Sequence, residues 1–199
     1  MNSVIIGNYD CMVENLDNDQ FRNGDSIPEA KSNEDWISAG KEHKPVWCYY
    51  DNDPEKGKKY GKLYNWFAVN DPRGLAPKDW HIPSHSELIA LVTAVSRDSN
   101  SLKAIDQDDI STNKSGFSAL FAGMRFENAV FSHLGACATF WSSSEYNKFS
   151  AYVMSLNFEE FDIKFHNDFK EYGCTVRCLK ESASNKVNSI LFKSSRIGE

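Results

Sequence analysis

Apolar and polar positions alternate with a different period in the two halves of the chain. Over residues 84–97, Leu88, Leu91, Val92 and Val95 recur at helical spacing and make one stripe. Ser84 and Glu87 give the S-x-x-E signature of a capped start, so a helix is predicted over 84–97. From residue 115 onward the pattern shifts toward runs rich in β-branched and aromatic residues, which read as strands. These are a turn and strand over 115–126, a strand over 136–145, a hairpin over 150–158 and 160–169, and a closing strand over 173–179.

The first half is less regular. Residues 5–16 read as extended, and residues 21–28 as a turn with Asn23-Gly24 at its sharpest point. Ser32 or Asn33 caps a short helix through Trp36 and Ala39, ending near Gly40. Residues 46–50 (VWCYY) read as a strand and 51–57 (DNDPEKG) as a solvated turn. That turn is no EF-hand loop, because glycine stands seventh and the twelfth residue is Lys62. Residues 62–69 (KLYNWFAV) fit helical spacing and strand composition equally. Residues 99–114 are polar and irregular. Trp66, Phe67, Trp80, Leu88 and Leu91 are expected to be buried together. The whole reads as one domain over residues 4–180, followed by a flexible serine- and lysine-rich tail, 181–199.

Charge and cysteine narrow the function classes. The 22 Lys and Arg against 28 Asp and Glu give a net charge of −6, which disfavours nucleic acid and anionic membranes as partners. No apolar run reaches the roughly 18 residues of a membrane span. The first residues lack the basic start and apolar core of a secretory leader, so either the protein stays in the cytoplasm or a leader is missing. Five cysteines leave at least one thiol unpaired in a monomer, and their spacing is no zinc pattern.

A set of motifs carries a family resemblance: MVENL (12–16), FRNGDSIPEA (21–30), CYYDND (48–53), YGKLYNWFAVNDPRGLAP (60–77), WHIPS (80–84), SGFSAL (115–120), FWSSSE (140–145) and TVRCL (175–179). Together they resemble the Fibrobacter succinogenes major paralogous domain of bacterial surface and secreted proteins. The chain departs from the family pattern at Cys11 and Leu88, where tryptophan is usual, at Phe121-Ala122-Gly123, usually proline-glycine-glycine, and at Ala76, often cysteine. The resemblance implies an α+β, C-type lectin-like fold, with two helices packed on twisted antiparallel sheets. It favours a helix within 62–69 and pairs the last strand with the first. That pairing implies that Cys48, in the first predicted strand, neighbours Cys178, a disulfide candidate in an oxidising compartment. It also implies an extracellular or cell-envelope setting, without supplying a reaction.

The chemistry read from the residues is modest. His81, His85 and Glu87 suggest a metal site, but Pro83 and the Ser84 cap put His81 before the helix, so no metal or cofactor is assigned. Ser142, Ser143 and Ser144 lack a nucleophile elbow, and Cys137 reads as a buried or half-buried free thiol. Arg177 is expected to pair with a buried carboxylate such as Glu14 or Glu145. A non-catalytic binding module for a glycan or protein is favoured over an enzyme using metal or thiol chemistry, and over a purely structural or adhesive domain. Ligand contacts are expected on the late sheet, at Arg125, Trp141, Ser143, Glu145, Tyr152 and Asn157.

Overall fold

The computed structural model describes residues 2–182; of the tail expected over 181–199, residues 183–199 lie outside the described residues, while Glu181 ends a strand opposite Tyr9. The architecture is mixed α+β and mostly sheet. Strands β1 (Ser3–Ile6) and β2 (Tyr9–Met12) form a hairpin. Helix α1 (Asn33–Lys41) follows, capped by Ser32 and Asp35 in a reciprocal capping box. The strand expected over 46–50 shrinks to β3 (Trp47–Cys48), because Tyr50–Asn52 turns as a 3-10 element with Asp51 at φ 55. The expected solvated turn is helix α2 (Pro54–Tyr60), opened by Asp53 as N-cap and Pro54 at the first helical position.

The ambiguous 62–69 segment takes both forms in succession. Strand β4 (Leu63–Tyr64) pairs with β3, and the Asn65 side chain then caps a single helical turn, α3 (Trp66–Val69). Helix α4 (His85–Ala94) carries the predicted Ser84–Glu87 capping box. A short turn of helix, α5 (Ser99–Leu102), breaks the polar stretch after it.

The second half forms a five-stranded sheet, β6-β5-β7-β8-β9. Its members are β5 (Ala122–Arg125), β6 (Phe131–Leu134), β7 (Cys137–Glu145), β8 (Ser150–Asn157) and β9 (Ile163–Phe169). All neighbours are antiparallel except β5 and β7, which meet in parallel at Gly123 and Ala138. The expected strand over 173–179 is instead a thread with isolated bridges from Gly173 to Arg125, Cys174 to Tyr64 and Thr175 to Phe140. Only its end is regular: β10 (Leu179–Glu181) pairs with β2, placing Leu179 opposite Cys11.

The last strand therefore pairs with β2 of the N-terminal hairpin and not with the segment holding Cys48. Cys48 lies across from Leu63 in a small cluster with Trp36, whereas Cys178 lies in the main cluster, its carbonyl accepting from Met12 N. All five cysteines are free and buried, so the Cys48–Cys178 neighbourhood is corrected.

The expected core is also divided. Trp66 belongs to one cluster, with its indole N–H donating to Ser142 O at 3.0 Å, and Leu88 and Leu91 belong to another on the opposite side of β7 and β8. Phe67 and Trp80 are only partly buried, and Phe67 stacks on His43.

Candidate functional site

Register in the β8–β9 hairpin ends with Ser150 opposite Phe169. The turn leading into β8 is fixed by Asn147, whose Oδ1 accepts from Phe149 N at 2.8 Å and Ser150 N at 3.0 Å. Lys170 N donates to Phe149 O at 3.0 Å, tying the turn to the end of β9. These bonds hold two large side chains outward: Phe149 is 59% exposed and Phe169 52%. Tyr172 packs edge-on against Phe169 and Phe126, with centroids at 5.7 and 5.2 Å.

Helix α1 forms the facing wall, and two glycines let it come close. A Cβ on Gly173 would lie 2.8 Å from the Trp36 ring, and one on Gly40 would lie 3.1 Å from Glu171 Cγ. Phe149 and Phe169 thus stand between two concavities. The first, about 380 Å³, has Ile37, Gly40 and Lys41 on one side and Glu127 and Glu171 on the other. The second, about 390 Å³, is lined by Asn147, Ser150, Asn167, Asp168 and Tyr172.

Two polar atoms at this end of the hairpin are buried without a hydrogen-bond partner, Ser150 Oγ and Asp168 Oδ2. Ser150 is only 4% exposed. An orphaned buried polar group costs roughly 1–3 kcal/mol, and both residues line the second concavity. Burial pushes the Tyr172 phenol up to about 12, and the negative charges of Glu127 and Asp168 add to the effect.

None of the six residues expected from the sequence lines this cleft. Trp141 and Arg125 are fully buried and present no surface. The Trp141 indole donates to Tyr64 O at 2.8 Å. Arg125 reaches Asn33 Oδ1 at 2.9 Å and stacks between Trp36 and Phe131. Glu145 pairs with Lys170 at 2.9 Å, Tyr152 stacks on His85 at 4.0 Å, and Asn157 donates to Glu160 at 3.1 Å. Ser143 faces a separate shallow concavity beside His81 and Glu87. The late sheet does carry the cleft, but at its end and not on its face. Phenylalanines bracketed by Asn147, Asn167 and Asp168 at the two hairpin ends were the signal available in the sequence.

The remaining candidates resolve into structure. His81 Nε2 meets Glu87 Oε1 at 2.8 Å, while His85 turns away onto Tyr152 and Phe165. Burial alone would raise the Glu87 carboxyl, but hydrogen bonds from Ser84 and His81 hold it below its ordinary value. Among the described residues no cluster of three His, Cys, Asp or Glu is arranged to hold a metal. Arg177 finds no carboxylate: it donates to Phe117 O and to Asn15 Oδ1, and stacks on Phe117. Glu14 instead accepts from Asn2.

The Fibrobacter succinogenes major domain model matches residues 4–180. The chain belongs to that family. No curated protein matches it. In this Fibrobacter succinogenes major domain the matched span runs from the outer strand β1 to the pairing of β10 with β2, so it takes in every element around the cleft. Among the described residues no helix is long and apolar enough to cross a membrane.

Proposed function

We propose that this chain is a non-catalytic binding module that takes a glycan in the cleft around Phe149 and Phe169. The observation that carries the reading is the combination of two exposed phenyl faces with the unpartnered Ser150 Oγ and Asp168 Oδ2 beside them. A sugar ring offers an apolar C–H face to cover an aromatic ring and hydroxyls to satisfy adjacent polar atoms. Covering a side chain of this size is worth about 1.5–3 kcal/mol for full burial, and Asn147 and Asn167 supply further donors and acceptors. Concavities of this size suit single rings, whereas a protein partner needs about 800 Å² of surface on each side.

Thiol catalysis is the less favoured reading, because burial raises every cysteine: Cys11, Cys48 and Cys178 to about 12, with Cys137 and Cys174 also shifted upward. A nucleophilic cysteine needs the opposite shift. As part of the same proposal we place the domain on the C-type lectin-like branch and at the bacterial surface or outside the cell. Closure of β10 onto β2 and the mostly antiparallel late sheet support the first assignment. The setting follows the family resemblance.

A glycan array followed by titration calorimetry tests the reading. Binding that weakens at least about tenfold in both Phe149→Ala and Phe169→Ala is expected, in line with loss of a stacking contact. Glycan binding that survives the double substitution would move the site elsewhere.

A further inference from the structure

We infer that the glycan taken in this cleft carries a free amino group, held as an ammonium between the cleft's carboxylates and its aromatic rings. The inference rests on the glycan reading above and adds the chemical class of the sugar.

The lining of the two concavities is unbalanced in charge. Among the lining residues Glu127, Glu171 and Asp168 stand against one cation, Lys41 on the rim of α1, and the Lys148 ammonium lies over Phe149 beside them. Nearby cations are engaged elsewhere. Lys170 bonds Glu145 Oε1 at 2.9 Å and Lys148 O at 3.1 Å, and Lys164 pairs with Glu160 at 2.5 Å. An ionised carboxylate only accepts hydrogen bonds. The orphaned Asp168 Oδ2 therefore calls for a donor, and the His166 ring nitrogen at 3.6 Å lies beyond hydrogen-bond reach.

The aromatic part of the cleft has the same preference. Phenyl and phenol faces attract ammonium groups. Phe149 already shows this, with the ammonium of Lys148 4.5 Å from its ring centroid. The Phe169–Tyr172 side, next to Asp168, has no such cation among the described contacts. The negative field that opposes removal of the Tyr172 proton equally repels a uronate, sulfate or phosphate and draws in an ammonium. A hexosamine bearing a free amine satisfies all three features at once: a C–H face for Phe169, a donor for Asp168, and a positive charge where the acids gather.

The test compares two oligosaccharides that differ only at nitrogen, a β-1,4-glucosamine hexamer and its fully N-acetylated form, with a uronate oligomer as third probe. In calorimetry on the full chain, the free amine is expected to bind at least about tenfold tighter than the acetylated form, and the uronate not at all. Asp168→Asn is expected to shrink that ratio to within about twofold, with unchanged melting temperature showing that the fold survives. The exposed Glu127→Gln supplies a second variant should Asp168→Asn fail to fold, and is expected to lower the ratio in the same direction. Equal or tighter binding of the acetylated form overturns the amine inference while leaving the glycan reading intact. Binding of none of the saccharides, or of a lysine-rich peptide in their place, overturns both.

Discussion

Lys103 and Asp108 form an ion pair whose two side chains are both 0% exposed, with Nζ and Oδ2 2.8 Å apart. Lys103→Met removes the cation and strands the carboxylate. Breaking a buried pair from one side costs about 3–5 kcal/mol. The lower end applies here, because Asp108 keeps donors from Ser111 Oγ at 2.6 Å, Glu159 N at 3.0 Å and Ile110 N at 3.3 Å. Glu160 O, the other acceptor of Lys103, keeps the Ser99 hydroxyl at 3.0 Å. The expected loss is thus about 3 kcal/mol, a large fraction of the 5–15 kcal/mol that a domain of this size holds in total. Adding Asp108→Asn removes the stranded charge but keeps an acceptor, so the double variant should recover about 1–2 kcal/mol of the loss. Urea unfolding at neutral pH, with slopes compared to confirm two-state behaviour, gives each number. A Lys103→Met loss below about 1 kcal/mol, or strict additivity in the double variant, would refute the claim that the pair is electrostatically coupled in a dry site. The pH dependence has a fixed sign. Burial alone would raise the Asp108 carboxyl, but its hydrogen bonds from Lys103, Ser111 and Glu159 outweigh that and hold it below the ordinary value. A depressed carboxyl contributes stability above its unfolded pKa, about 3.9, and loses it as pH falls through the folded value. Asp108→Asn should therefore flatten the acid limb of the stability curve.

Two further outcomes follow from burial and backbone geometry. Of the five cysteines, all buried, fewer than one equivalent should react with a thiol-disulfide reagent in the folded protein and all five in denaturant; rapid native reaction of two or more would contradict the raised thiols. Gly123→Ala should destabilise by more than about 1 kcal/mol in thermal melts, because φ is 66 there and a Cβ would lie 2.5 Å from Ser132 O, a backbone atom that cannot rotate away; an unchanged melting temperature would mean that β5 and β6 shift freely.

What the sequence disclosed depended on whether the signal was local. The Ser84–Glu87 capping box and the apolar stripe behind it are set within one turn, and α4 begins where they say. The β8–β9 hairpin announced itself through composition over residues 150–169, and its register follows. Helix α2 was hidden because DNDPEKG carries turn chemistry, yet Asp53 and Pro54 are also a cap and a first helical residue. The split of 62–69 into strand and helical turn is decided by partners far away: β3 for Leu63 and Tyr64, and Lys170, whose carbonyl accepts from Trp66 N at 2.8 Å. The residues expected as contacts fall outside the cleft for a related reason. Arg125 and Trp141 have the residue types that dominate interfaces, but the thread at Gly173–Thr175 covers them, and no local pattern states where that thread runs.

The distribution of charge links the buried arginines to the cleft. Lys62, Lys103, Arg125, Lys170 and Arg177 are buried among the described residues; the three lysines pair with Asp17, Asp108 and Glu145, while the two arginines have no carboxylate partner among the described ion pairs. Arg125 and Arg177 are both buried with the guanidinium laid against aromatic rings and terminal N–H groups given to carbonyls and asparagines in place of carboxylates, although Arg177 Nε has no partner. For Arg177 the cost is visible, since burial presses its pKa down to about 9. These two arginines, consumed inside without matching acids, leave carboxylates outside without matching cations. A net charge of −6 therefore understates how acidic the accessible surface is, and the excess can gather at Glu127, Glu171 and Asp168, where the aromatic side chains are also exposed. On the proposal above, the same interior choice that makes the arginines structural favours a positively charged ligand in the cleft, and a salt-dependent affinity for the glucosamine hexamer, absent for its acetylated form, is the signature expected to join the two.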